Sequence, residues 1–208
     1  MDKKIIENNL KTKIIGRKIV CYDTIDSTQE EVKRNSSLGN GTVIIAERQT
    51  KGKGTHGRVW YTDTEYKNIA MSLILFPECK ISKLKEITII IAKCIVRTFE
   101  KLYNLKLQIK EQNDIVFNSK KIGGILVESK LVGEIVKKLY IGIGINILQQ
   151  NFNFNIENIA SSILNEFNIE CNREKIIAGF FNIFEKEYLK HQWIYLQKKV
   201  MMQLVLKR

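Results

Sequence analysis

An apolar run, Thr42-Val43-Ile44-Ile45-Ala46, leads within a few residues into Lys51-Gly52-Lys53-Gly54-Thr55-His56-Gly57-Arg58-Val59-Trp60, and this junction limits the folds open to the chain. Three of the twelve glycines fall at 52, 54 and 57, interleaved with Lys51, Lys53 and Arg58, and the segment ends on one of only two tryptophans. Glycine accepts positive φ and leaves its N–H open to a ligand. Consecutive amides of that kind, with cations beside them, form a concavity for anions. A glycine-rich surface turn with solvated lysines is the alternative reading. The strand-like run before the loop and the aromatic at its end favour an anion-binding loop hung from a sheet, with phosphate as its ligand. It is not a P-loop, because Lys and Ser/Thr do not follow the last glycine. Nor is it a dinucleotide fingerprint, since Val59-Trp60-Tyr61 reads as extended where that motif opens a helix.

Around this loop the chain alternates short strands with helices. Residues 1–13 are polar and read as a loose lead-in or a short helix, and 16–23 as a strand. Ser27 with Glu30 three residues on is a capping box, so a helix starts there. Ser27 and Thr28 can be plain caps, or their hydroxyls can hold a polar ligand group. Residues 68–75 read as a strand that Pro77 ends. Leu84, Ile87, Ile91, Ile95 and Phe99 recur at three- and four-residue steps, which predicts an amphipathic helix over about 82–103. Residues 105–110 alternate like a half-buried strand. A turn at Asn118-Ser119-Lys120 precedes a strand over 121–128, where Lys121 can be a solvated hairpin lysine and Gly123-Gly124 a β-bulge. Residues 139–147 form a strand whose Gly142 and Gly144 mark close approach by a ligand or another backbone. Helices are expected over 156–167 and from 173 to about 190; residues 191–208 fit no pattern.

With 208 residues, 44% of them hydrophobic, the chain can bury one good core, and a single proline with no low-complexity stretch leaves no linker. One domain is expected over 1–190, followed by a short tail. The amino terminus lacks the apolar core of a signal peptide, and Ile87 to Val96 is too short to span a bilayer. Cys21, Cys79, Cys94 and Cys171 are scattered without a C-x-x-C pair, which suggests neither a zinc nor a redox site and fits a reduced cytoplasm. His56 and His191 are the only histidines, too few for a His-rich metal centre. The net charge of +12 suits nucleic acid, phosphorylated ligands or acidic protein partners. The lysines are dispersed and no helix-turn-helix or RNA-binding motif accompanies them, so nucleic-acid binding is the minority reading.

Several segments together resemble the biotin–protein ligases. Gln49 and Gly52-Lys53-Gly54-Thr55-His56-Gly57-Arg58-Val59-Trp60 are similar to the family's G-R-G-x-x-G-R-x-W signature, with Lys53 in place of the first arginine. Asp26-Ser27-Thr28-Gln29 resembles its D-S-T-N/Q element, and Asn113-Asp114 the end of its K-W-P-N-D motif, where Glu111-Gln112 replace Trp-Pro. Residues 121–128 resemble K-x-x-G-I-L-V-E, and Leu139 to Ile147 include its I-G-x-G-I-N segment. The resemblance covers roughly residues 14–190. It implies an α/β (α+β) sandwich, a mixed central sheet flanked by helices, related to lipoate ligases and class II synthetases. Residues 1–13 are expected to be too few for the winged helix of many members, and those after 190 too few for the usual C-terminal barrel.

What the resemblance implies for function is activation of biotin by ATP to biotinyl-5′-AMP, then transfer to a lysine of a biotin carboxyl carrier protein such as acetyl-CoA carboxylase. Lys121 would bridge the biotin carboxylate and the α-phosphate, while Lys53, Arg58 and the loop amides hold phosphates and Lys110 completes the charge. Asp114 would bind Mg²⁺. Ser27, Thr28, Gln29 and Gln49 would contact the ureido ring, with Gly52, Gly54 and Thr55 of the loop also lining the biotin site. Gly124, Gly142 and Gly144 would let the ligand lie flat on the sheet. Trp60, Asn113 and Asn146 fall to ATP, Trp60 and Asn146 at the adenine. His56 reads as a solvated loop residue. The loop is expected to order when the adenylate forms. Cytoplasmic location, a possible homodimer and no specific DNA partner complete the expectations. The alternatives are a lipoate or other acyl-adenylating ligase, and a non-enzymatic basic domain that binds nucleotide or nucleic acid.

Overall fold

The computed structural model describes residues 1–61 and 68–205, with the side chains of 191–205 outside that description. Its frame is an eight-stranded sheet in the order β1-β2-β3-β8-β7-β6-β5, with β4 pairing β8 beside that path. The strands are β1 (Ile19–Ile25), β2 (Val43–Gln49), β3 (Ile69–Leu75), β4 (Cys79–Lys80), β5 (Gln108–Lys110), β6 (Asp114–Phe117), β7 (Lys120–Val132) and β8 (Ile135–Ile145). β1 and β2 are parallel, joined over the sheet by α2 (Thr28–Arg34), and every other pairing is antiparallel. The sheet is therefore mixed, as expected.

Side chains alternate across a strand, and here the two faces have different fates. Ile69, Met71, Leu73 and Leu75 of β3 and Leu139, Ile141, Ile143 and Ile145 of β8 enter the main core. That core is closed by α1 (Lys3–Asn9), α3 (Leu84–Tyr103) and α5 (Arg173–Val205), through Ile6, Ile91, Ile95, Phe99 and a cluster of Phe180, Phe181 and Phe184. The other face is covered at one end only, by α2, whose Val32 packs with Leu38, Ile44, Ile74 and Tyr140. The rest of that face, floored by glycine, is where the site lies.

Ser27 does cap α2, accepting from the Glu30 amide at 3.4 Å, but the capping box is not reciprocal. Asp26 Oδ1 takes the Ser27 amide at 2.7 Å, and Glu30 pairs instead with Lys33. The carboxylate of Glu185 on α5 accepts the backbone amides of Lys13, Ile14 and Ile15 at 2.6–2.8 Å and so fixes the entry into β1.

Three expectations change. The helix expected over 156–167 shrinks to α4 (Ile163–Phe167), capped by Ser162. The residues before it run beside β7, where the Lys121 amide donates to Ile159 O and the Ser161 amide to Lys121 O. The strands expected over 121–128 and 139–147 are longer and form one hairpin, β7–β8, turning at Gly133-Glu134. The helix expected from 173 continues to Val205, so the backbone of the supposed tail belongs largely to α5; its side chains lie outside the described residues. Among the described residues no helix is long and apolar enough to cross a membrane.

Candidate functional site

The glycine loop closes on itself as a small hairpin. The Trp60 amide donates to Gly52 O at 3.0 Å and the Gly54 amide to Arg58 O at 2.7 Å, around a turn at Thr55–Gly57 in which His56 and Gly57 have φ of 54° and 74°. A Cβ at Gly52 would sit 2.4 Å from Trp60 O, so this glycine serves the loop's own closure. Its base is tied to the D-S-T-Q segment by the Lys51 amide, which donates to Asp26 O.

This fold-back lays the Trp60 indole on the sheet. A Cβ at Gly144 would lie 2.3 Å from the indole ring, and one at Gly124 3.1 Å. The buried indole Nε1–H finds no acceptor among the described residues. The third floor glycine, Gly142, accommodates Gln29, whose Oε1 would be 2.8 Å from a Cβ there. The glycines expected to give a ligand room thus receive side chains of the chain itself.

The pocket above this floor is lined by Ser27, Thr28, Gln29, Gln49, Lys53, Gly54, Thr55, Trp60, Asn113, Lys121, Gly124, Gly142 and Gly144, together with Met71, Ser72, Ile125, Leu126 and Ile143. One end is an uncharged polar cluster. Gln49 Oε1 accepts from the Thr28 amide (2.8 Å) and hydroxyl (3.0 Å); the Thr28 and Ser72 hydroxyls are 2.9 Å apart; Ser72 donates to Gln29 Oε1 at 3.0 Å. Gln29 Nε2 donates to Glu128 Oε2 at 2.9 Å and to Tyr140 O at 3.3 Å.

The other end is cationic. Lys121 Nζ lies 5.9 Å from the Trp60 ring centroid and 2.7 Å from Asp114 Oδ1. A bulge puts it there. Gly123 pairs with Ile115 and Lys121 with the adjacent Val116, so Ile122 is the extra residue of β7. Such a residue re-aims its neighbours. Ile122 goes to the core and Lys121 comes to the same face as Gly124.

Five expected residues do not line the pocket. Gly52 closes the hairpin. Arg58 turns back on Thr55, donating to its carbonyl and hydroxyl. Lys110 is exposed on the edge strand β5. Asn146 is buried behind the site, its amide nitrogen donating to Ser161 O and its backbone amide to Ile122 O. Asp114, expected to hold Mg²⁺, is paired with Lys121. No three His, Cys, Asp or Glu side chains come together among the described residues to hold a metal ion. A lone carboxylate that already faces an ammonium does not fit a protein-held metal centre.

Ser72 and Glu128 were missed as site residues. The signal for Ser72 was available: it is the one hydroxyl within Ile69–Leu75, and a buried polar group requires partners. Glu128 stood in the strand motif without a role.

A mixed sheet whose open face carries an amide-and-hydroxyl cluster at one end and a lysine at the other forms a pocket matched to a small molecule with a neutral polar end and an anionic end. The chain belongs to the biotin/lipoate A/B protein ligase family, whose model matches residues 21–146. It is 35% identical over 187 residues to the bifunctional ligase/repressor BirA of Bacillus spizizenii, covering 88% of this chain and 57% of that one. It is 27% identical over 194 residues to the human biotin–protein ligase, covering 88% of this chain and 27% of the relative. The biotin protein ligase of Aquifex aeolicus in complex with biotin and ATP superposes with a TM-score of 0.76 at 25% identity, covering 85% of this chain and 72% of that one. The chain thus spans little more than half the length of the Bacillus relative.

Proposed function

We propose that this chain is the catalytic domain of a biotin–protein ligase, which joins biotin to ATP as biotinyl-5′-AMP and passes the biotinyl group to a lysine of a biotin carboxyl carrier protein. One observation carries the reading: the pocket runs from the neutral Gln49–Thr28–Ser72–Gln29 cluster to the Lys121 ammonium. That polarity suits a ligand with an uncharged hydrogen-bonding ring and a carboxylate tail. The relatives named as biotin ligases support the same assignment.

In the first step the biotin carboxylate attacks the α-phosphorus and pyrophosphate leaves. Both reactants are anions, so the protein has to offset their repulsion and place them in line. Lys121 stands at the tail end of the pocket and lies against both carboxylate and phosphate. Lys53 and Thr55 line the same space and hold the phosphates, while the Gly54 amide stays committed to Arg58 O. In the second step the carrier's lysine amine attacks the acyl carbon and AMP leaves. Folding the loop over the anhydride keeps water away from it. Any magnesium would come with the phosphates of ATP rather than be held by a carboxylate among the described residues of this chain.

Ligand-dependent melting tests the reading, because a ligand that binds only the native state raises apparent stability by mass action. Biotin with MgATP should raise the melting temperature more than either alone. Stabilisation by lipoate and not by biotin would replace the reading with a lipoate ligase. A shift produced only by RNA, with steep salt dependence, would replace it with the basic-domain reading.

A further inference from the structure

The polar cluster has a proton count that decides what can bind to it. Gln49 Oε1, Thr28 Oγ1, Ser72 Oγ and Gln29 Oε1 form a chain with three oxygen–oxygen contacts of 3.0, 2.9 and 3.0 Å. A hydroxyl carries one proton and a carboxamide oxygen none. Two protons therefore serve three contacts, and one contact always sets lone pair against lone pair.

Turning a glutamine end for end would cure this, and each is prevented from turning. Gln49 must present oxygen because the Thr28 amide donates to it at 2.8 Å. Gln29 must present oxygen because its nitrogen faces two acceptors, Glu128 Oε2 and Tyr140 O. Glu128 is held in turn by Lys33, 3.2 Å from its other oxygen. With Ser72 donating to Gln29 and Thr28 to Gln49, the contact left without a proton is the one between the Thr28 and Ser72 hydroxyls, and all four residues of the chain line the pocket.

We propose that Ser72 and Glu128 are positioning residues that keep this end of the pocket one proton short, and that the site thereby selects a head group bearing an N–H donor. Resting on the biotin-ligase reading, this makes the pocket specific for a cyclic urea over a dithiolane. A urea N–H supplies the missing proton to Gln29 Oε1 or to a hydroxyl oxygen of the chain. A dithiolane supplies none and leaves the repulsive contact in place.

Glu128→Gln is the near-isosteric test. With its oxygen kept by Lys33, the new amide nitrogen can donate to Gln29 Oε1, which favours a turned Gln29 that gives an N–H to Ser72 and forgoes only its longer, 3.3 Å contact with Tyr140 O. Ser72 then donates to Thr28 and Thr28 to Gln49, and all three contacts are filled without a ligand. Calorimetry on the full chain should show biotin binding weakened by roughly tenfold, the scale of one buried hydrogen bond and its unsatisfied partner. The preference for biotin over lipoate should narrow, and ATP binding alone should stay unchanged. The loss should vanish in a Gln29→Ala background, because Glu128 acts through Gln29. Wild-type biotin affinity in Glu128→Gln, or a loss that adds in full to that of Gln29→Ala, overturns the proposal and leaves the biotin reading standing. Failure of the wild-type chain to bind biotin overturns both. A melting curve of Glu128→Gln matching the wild type separates a local rearrangement from unfolding.

Discussion

Lys121 Nζ stands 2.7 Å from Asp114 Oδ1, and the bulge at Ile122 is what brings the two residues to one face of the sheet. Without the extra residue, Lys121, three positions from Gly124, would point to the opposite face. The ion pair holds the ammonium beside the Gly124 floor before any anion arrives.

Lys121→Ala should therefore lower pyrophosphate release by ~10²–10³, the usual effect of removing one group that stabilises developing charge. The fold should survive, because a partly solvated pair contributes about 0–1 kcal/mol. Single-turnover pyrophosphate release with a parallel melting curve is the measurement. Release at the wild-type rate would take Lys121 out of the reaction.

The departure from the family's Trp-Pro sequence has a backbone counterpart. Between β5 and β6, Glu111 and Gln112 have φ of 51° and 70°. Proline is locked near −65° and cannot take the second of these positions. Restoring the family residue by Gln112→Pro should thus destabilise the chain, by more than the ~1 kcal/mol that a compatible proline would add. Gln112→Gly should stabilise it, since the left-handed region costs about 1–2 kcal/mol for a residue with a Cβ. Urea unfolding of both variants decides. A more stable Gln112→Pro would mean that the turn can adopt the family's geometry.

The same turn shows where the sequence was legible and where it was not. Strands β2, β3 and β8 and helix α3 were readable because their apolar periodicity is set by burial, which the sequence records directly. Ser27 was readable as a cap, and Gly142 and Gly144 as places of close approach, because both demand particular residue types. That side chains of the chain itself make the approach was not readable, and the bulge expected at Gly123-Gly124 falls at Ile122. Nor was Ile122 readable as a bulge, since an aliphatic residue in an apolar strand looks the same in register or out of it. The commitments of Arg58 to Thr55 and of Asn146 to Ser161 were invisible as well. They depend on which neighbour a flexible or buried polar group finds after folding, and spacing along the chain does not encode that.

Trp60 and Gly144 provide a steric test of the floor. A Cβ at Gly144 would approach the indole to 2.3 Å, closer than atoms can sit, so Gly144→Ala must lift Trp60 off the sheet. The indole is half-buried, and its displacement should shift tryptophan emission to the red while biotin-with-ATP stabilisation falls. Trp60→Ala should by itself remove the shift that Gly144→Ala causes, and the remaining Trp193 serves as the reference signal. An unchanged emission spectrum in Gly144→Ala would mean that the indole does not rest on Gly144 in solution.

The last expectation concerns acid. Glu47, two residues before Gln49 on β2, is buried against Arg173, which donates from two nitrogens at 2.7 and 3.2 Å and also reaches Asn68 O. The amino terminus of Met1 pairs with the same carboxylate. Burial pushes the Glu47 carboxyl up, but the hydrogen bonds and charges of Arg173 and the terminus outweigh it and hold the group below its ordinary value. A carboxyl lowered in this way stabilises the fold above its unfolded pKa of about 4.5, and the contribution is lost as pH falls through the lower folded value. Arg173→Met should cost about 3 kcal/mol near neutral pH, where it leaves a buried carboxylate with only the amino terminus for a partner. The difference between wild type and variant should shrink in acid, because a protonated Glu47 no longer needs the guanidinium. Urea midpoints at neutral pH and near pH 4 test this, and a difference that stays constant with pH would show that Arg173 acts through packing alone.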